Sequence, residues 1–309
     1  MKPGFLDALD MALSGGMNSL SKQFTDRIGD FVAAHQMPDY GYRGRSGGSD
    51  LYYTDFASRI LSLISSDETV FDGIRCWIGN DQPMARNIIE CFNILNIRRI
   101  LEKSGVPVYV NEEQLLDRIA SQELPSGGFS RPGGRLTSAY NTFLASLCFQ
   151  MLNRDYKNRN ALISAVRGLR HPDGGYSETP VEPISQTNAT AAAVACLMIY
   201  DAFDDDSSIS VSGYLQSMHA PDGGLLAQPS APEPDLLSTY TGMVCMFGLE
   251  GFGGMNPSST ARFAKKLFNH DGGFRACISD NEPDIEYTYY GLSVLALLRV
   301  YILAQDEDE

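Results

Sequence analysis

Two kinds of helical pattern alternate along this chain. One is amphipathic, with apolar residues confined to one face, and recurs over 21–34, 67–78, 111–121, 157–170, 208–218 and 258–269. The other is apolar around most of its circumference and recurs over 50–64, 83–101, 137–152, 186–200, 235–249 and 285–302. A one-sided helix can face water, whereas a helix apolar all round must be buried on both sides. The alternation therefore predicts an all-α chain of six outer and six inner helices.

Glycine pairs punctuate the pattern between each outer helix and the inner helix after it. The copies read SGGF at Ser126–Phe129, DGGY at Asp173–Tyr176, DGGL at Asp222–Leu225 and DGGF at Asp271–Phe274. Their first glycines, Gly127, Gly174, Gly223 and Gly272, are spaced by 47, 49 and 49 residues. A degenerate copy, DYGY at Asp39–Tyr42, lies about two periods upstream of the first. A constant period of this size marks one helix-pair unit stacked on copies of itself. Such pairs build either an open superhelical stack or a closed (α/α)6 toroid. Six units with an apolar inner set favour the closed toroid.

Within the units a threonine keeps a fixed distance from the second glycine: Gly175 to Thr190, Gly224 to Thr239 and Gly273 to Thr288 are each 15 residues apart. Asp235 and Asp284 stand four residues before their threonines, as Asp50 does before Thr54. An aspartate at a helix start caps exposed N–H groups and suits the positive end of the macrodipole, so capping competes with any chemical role for these three.

Composition narrows the partners. The 309 residues carry a net charge of −14, a field that repels nucleic acid and anionic lipid. Residues 1–303 are expected to form one barrel domain, with 304–309 as an acidic, solvated tail. The six cysteines show no C-x-x-C spacing, and Cys91, Cys148, Cys196 and Cys245 sit among helix-periodic apolar residues as small hydrophobes do. No signal peptide is expected, and no apolar run approaches the roughly 20 residues that a bilayer span requires. These features together point to a cytoplasmic protein.

The D-G-G-aromatic loops and the phrase Asp284-Ile-Glu-Tyr-Thr-Tyr-Tyr-Gly-Leu-Ser-Val-Leu295 resemble the repeats shared by protein prenyltransferase β subunits and the squalene and class II terpene cyclases. The phrase is similar to the prenyltransferase segment D-x-Y-H-T-x-Y-x-L-S-G-L, and the likeness runs from about Gln36 to Leu298. The resemblance implies an (α/α)6 barrel, an isoprenoid held in an aromatic-lined centre, and a helical partner subunit of the prenyltransferase kind. It also implies chemistry that this chain does not carry intact. Prenyltransferases hold zinc with an aspartate, a cysteine two residues later and a histidine in the next repeat. Here those positions are Asp235, Leu237 and Tyr287. Leucine cannot ligate and tyrosine is a poor substitute, so Zn2+ is not expected. The paired aspartates of the cyclase D-x-D-D motif are absent too, since the matching positions read Asp235-Leu-Leu-Ser and Asp284-Ile-Glu-Tyr.

Side chains able to serve an isoprenoid site remain. Inner-helix aromatics Tyr52, Tyr53, Tyr140, Tyr240, Tyr289 and Tyr290 suit an apolar chain, with helix packing as the competing account. Arg43, Arg45 and Arg275 precede the first and last inner helices and would converge in a closed ring, either to grip a diphosphate or to pair with Asp39, Asp50 or Asp280. Asp50, Asp235 and Asp284 are the candidate acids or Mg2+ holders, and Tyr287 occupies the lost histidine position. No cofactor is firmly implied. The expected function is isoprenoid or terpenoid handling without zinc. Its rival is a non-catalytic binding or scaffold toroid.

Overall fold

The computed structural model describes residues 3–65, 67–80, 85–249 and 255–307. Thirteen α-helices form among them, and the β-structure is limited to isolated bridges. The outer helices are α2 (Lys22–Ala34), α4 (Asp72–Asn80, preceded by a 3-10 turn at Glu68–Phe71), α6 (Glu112–Ala120), α8 (Arg159–Arg167), α10 (Asp205–Ser217) and α12 (Pro257–Leu267). The inner helices are α3 (Leu51–Ile64), α5 (Ile88–Lys103), α7 (Ala139–Met151), α9 (Thr187–Ile199), α11 (Leu236–Gly248) and α13 (Ile285–Glu307). All twelve expected helices form. The start expected for α5 at 83–84 lies outside the described residues, as do 308–309 of the acidic tail. α13 runs past the expected end at 302 and carries the chain as helix to Glu307. No helix among the described residues is long and apolar enough to cross a membrane.

One helix escaped the pattern. α1 (Phe5–Met17) contains Gly15 and Gly16, a pair that reads as a helix breaker. Gly16 instead lies against α13, where a Cβ would come within 2.0 Å of the Ala296 carbonyl oxygen. Glycine is needed there for close approach rather than for a turn.

The glycine loops explain how the repeats join. In the four full copies the first glycine has φ between 92° and 102° and lies against backbone of an outer helix: Gly127 on Ala161 of α8, Gly174 on Ser210 of α10, Gly223 on Ser259 of α12. In Asp173, Asp222 and Asp271 the turn aspartate accepts the N–H of the second glycine. The fourth residue is buried, and its N–H donates to the repeat threonine. Phe129 bonds Thr142, Tyr176 bonds Thr190, Leu225 bonds Thr239 and Phe274 bonds Thr288, at 2.9–3.0 Å. In the degenerate copy Tyr42 bonds Thr54 in the same way at 3.0 Å. All five threonines are fully buried. The fixed threonine spacing is therefore structural: it pins each loop to the inner helix that follows it.

The chain forms two compact units, Met1–Leu9 with Ile119–Phe263 and Asp10–Arg118 with Ala264–Glu309. In the first, α7, α9 and α11 pack side by side as inner helices. The neighbouring loop also caps two of them: Thr187 at the head of α9 donates its N–H to the Ala227 carbonyl, and Ala139 of α7 does the same to that of Glu178. In the second, α13, α3 and α5 pack side by side. Here the last repeat docks on the first, with Gly272 resting on the Arg27 carbonyl of α2. Phe24 packs against Phe268 and Phe274, and the Arg27 guanidinium lies 4.6 Å from the Phe268 ring centre. An open stack would hold those two repeats at opposite ends. Cys91, Cys148, Cys196 and Cys245 are buried as expected, and burial pushes the thiols of Cys91, Cys196 and Cys245 up to about 12.

Three substitutions test this account by urea unfolding. Thr239→Val leaves the buried Leu225 N–H unpaired and is expected to cost about 1–3 kcal/mol. Gly223→Ala, at φ 102° with backbone 2.3 Å from the added methyl, is expected to destabilise as well. Gly213→Ala, on the exposed side of α10 with nothing within 4 Å, is expected to stabilise by about 0.5–1 kcal/mol.

Candidate functional site

Most of the expected site residues fall in the second unit, at the heads of α3 and α13. Asp50 caps α3, its Oδ1 accepting the Tyr53 N–H at 2.8 Å, and Asp284 caps α13, accepting the Tyr287 N–H at 2.9 Å. Arg45, in the loop before α3, reaches across to the head of α13. Its Nη1 donates to Asp280 Oδ1 at 3.1 Å, its Nη2 bonds Asp280 Oδ2, and its Nε lies 3.2 Å from Asp284 Oδ2. Arg275 approaches the same loop, donating to the carbonyls of Asp280 and Lys266. Two of the three arginines thus meet, but at Asp280. For Arg45 the ion pair with Asp280 is the arrangement present. Arg43 is held through its main chain, its N–H donating to the His35 carbonyl.

A carboxylate not singled out from the sequence sits beside them. Glu286, in the first turn of α13, accepts the Tyr52 hydroxyl at 2.7 Å and the Tyr290 hydroxyl at 3.1 Å, both on Oε1. The available signal was an acidic residue just inside an otherwise apolar helix. Tyr52, Phe56, Tyr289 and Tyr290 form one aromatic cluster across α3 and α13, with neighbouring ring centres 5.0–5.9 Å apart. Tyr53 packs edge-on to Tyr52, and Tyr287 lies 6.0 Å from Tyr290. Arg59 enters the cluster from the middle of α3, its guanidinium 4.7 Å from the Phe56 ring centre, 5.2 Å from Phe92 and 5.4 Å from Tyr289.

Arg59 is anchored from behind by Asp55, which is fully buried and also accepts the Asn96 amide at 2.6 Å. Arg99 in turn bonds Asn96 and pairs with Asp10 of α1 at 2.6 Å. The i, i+4 spacing of Asp55 and Arg59 within an apolar helix was a legible signal. The helical pattern gave no reason to connect it to Asn96 or Asp10.

Electrostatics differ among the carboxyls. Burial pushes Asp284 above the usual aspartate range, against the pull of the Tyr287 N–H and Arg45. Burial also raises Asp50 and Glu286, with the Tyr52 hydroxyl opposing the shift at Glu286. Asp280 goes the other way. Burial pushes it up, but hydrogen bonds from Arg45 and the N–H groups of Ala276 and Glu282 hold it below the usual range.

The other three expected residues belong to the first unit. Asp235 caps α11, accepting the Ser238 N–H at 2.7 Å and its hydroxyl at 2.8 Å, and burial raises its carboxyl. Tyr240 is buried on α11, while Tyr140 on α7 is exposed. Beside Tyr140, Glu178 reaches over from the neighbouring loop. It accepts the Ser138 hydroxyl and the Tyr140 N–H and lies 3.3 Å from Arg131. Neither Glu178 nor Arg131 was tied to the other by sequence spacing. The residues at the implied zinc positions do not fit the ion. Leu237 has no donor atom, Asp235 is engaged by Ser238, and no cluster of three or more His, Cys, Asp or Glu able to hold a metal forms among the described residues.

The helix-pair repeat, its glycine loops and its inner-helix site define an α/α toroid. The sequence matches the model of the prenyltransferase alpha-alpha toroid domain over residues 81–181 and 150–309, and the chain belongs to that family. No curated protein sequence matches it. Among solved structures it is similar to the Candida albicans protein geranylgeranyltransferase-I complexed with GGPP, at 15% identity and a TM-score of 0.67, over 80% of this chain and 83% of that one. It is also similar to a type II terpene cyclase from Scytonema in its apo form, at 11% identity and a TM-score of 0.59, over 94% and 98% of the two chains. A variant of that cyclase in complex with geranylgeranyl dihydroxybenzoate matches at 11% identity and 0.62, over 96% and 99%. At these identities the likeness establishes the fold.

The raised Glu286 carboxyl gives a pH prediction. A folded-state value above the unfolded one means that stability is greatest with the proton on and falls as pH rises through that interval. Glu286→Gln removes the cost. Its thermal midpoint is expected to match the parent at pH 4 and exceed it at pH 8, and equal differences at both pH values would contradict the assignment.

Proposed function

We propose that this protein binds an isoprenoid or terpenoid chain against the aromatic faces of its inner helices and acts on it without zinc. The observation that carries the reading is the cluster of Tyr52, Phe56, Tyr289 and Tyr290, built from the first and last inner helices and flanked by the buried Asp284 and the half-buried Glu286. Aromatic faces pack well against polyenes and attract the positive charge that develops on them. Family membership supports the same reading, as do two similar structures whose ligands carry geranylgeranyl groups. The acid would come from Asp235, Asp284 or Asp50, all raised by burial, or from Glu286. Tyr287 would shape the position where the resemblance places a histidine.

The second reading is a binding toroid that performs no chemistry. It is favoured by the engagement of Asp50, Asp235 and Asp284 as helix caps. Organic extraction of the purified protein followed by mass spectrometry tests the shared premise. A co-purifying polyprenyl lipid is expected, and its loss in Phe56→Ala is expected with the fold retained by circular dichroism. An extract without isoprenoid, together with no affinity for added prenyl compounds, would sink the proposal. Asp235→Asn separates the two readings, because asparagine keeps the cap. Turnover is expected to vanish while the fold persists, and retained turnover would remove Asp235 from the mechanism.

A further inference from the structure

The polar end of the aromatic cluster offers hydrogen-bond acceptors, and its cations are already engaged. The Arg45 fork is filled by Asp280, and its Nε faces Asp284. Arg275 is held by two main-chain carbonyls. Arg59 is paired with Asp55 and lies over the rings of Phe56, Phe92 and Tyr289. The loop arginines Arg43, Arg45 and Arg275 carry three positive charges against the four carboxylates of Asp50, Asp280, Asp284 and Glu286 at the heads of α3 and α13, which leaves the balance negative. A diphosphate arriving here would have to draw Arg45 away from two carboxylates while standing among like charges. Placing like charges side by side without water is strongly unfavourable.

A hydroxyl group meets none of these obstacles. Tyr52 and Tyr290 already show how one is received, since each donates its O–H to Glu286. Given the isoprenoid reading above, we infer that the site takes a prenyl compound whose polar end is an uncharged hydroxyl, an alcohol or phenol, and rejects the diphosphate ester, with Glu286 as the residue that sets this choice. The ligand O–H donates to the Glu286 carboxylate, and the carbon chain lies along the rings of Phe56, Tyr289 and Tyr290. The inference assigns no bond making or breaking.

Equilibrium dialysis of the full chain against geranylgeraniol and against geranylgeranyl diphosphate tests it. The alcohol is expected to bind at least about tenfold more tightly. Glu286→Gln keeps an acceptor but removes a charge, and is expected to shrink that ratio by about tenfold, chiefly through tighter diphosphate binding. Tyr52→Phe removes a hydroxyl without changing charge and is expected to leave the ratio in place. Diphosphate binding as tight as the alcohol in the parent chain, or a ratio that Glu286→Gln does not move, overturns the inference and leaves the isoprenoid reading standing. Binding of neither compound overturns both.

Discussion

A buried main-chain N–H must find a partner, and in this protein a threonine hydroxyl supplies it five times over. The residue after each glycine pair is drawn into the core, where its amide would otherwise be orphaned. The threonine one turn into the next inner helix accepts it in every copy from Tyr42 to Phe274. That bond sets the angle at which each loop enters its inner helix, and so the position of every residue at the helix heads. The first glycine then lets the same loop lie directly on the backbone of an outer helix. The degenerate copy keeps the contact by exchanging roles: Tyr40 takes the positive φ of 72°, and the glycine stands on the facing helix as Gly73, against the Tyr40 ring.

The carboxylates at the helix heads have two physical duties. Asp50, Asp235 and Asp284 satisfy N–H groups that the first helical turn leaves open, as capping predicts. The same burial that makes the caps effective disfavours their ionised form, which is the property a proton donor requires. Structural and chemical roles therefore coincide in one residue type, and repeat spacing by itself does not separate them. Glu286 differs, because its partners are tyrosine hydroxyls rather than its own helix N–H groups.

The seam between the last and first repeats concentrates the side-chain chemistry. It uses the glycine contact found between other repeats, with Gly272 on Arg27, and adds the Arg45 ion pairs and the tyrosine–glutamate bonds. Behind it, Asp10, Arg99, Asn96 and Asp55 form a chain of polar contacts that ends at Arg59. Such a chain holds a guanidinium in one orientation against its aromatic neighbours. The result is an aromatic cluster and a set of carboxyls held by partners on separate helices.

The repeat architecture was legible in the amino-acid order because it rests on local physics. Helical periodicity, caps at Asp50, Asp235 and Asp284, and the need for glycine at positive φ all act within a few residues, so twelve helices and their loops could be read directly. α1 was not legible, since Gly15-Gly16 breaks a helix in isolation and is favoured only where Ala296 of α13 crosses it. The pairing of Arg45 with Asp280 and of Tyr52 with Glu286 joins residues about 235 apart, and no local preference encodes such contacts. Composition showed that arginines and aromatics were present in the right loops and helices. Only packing decided that Arg45 would be bound by carboxylates and that Glu286 would face the rings, because a side chain's partner depends on which helix lies next to it in space.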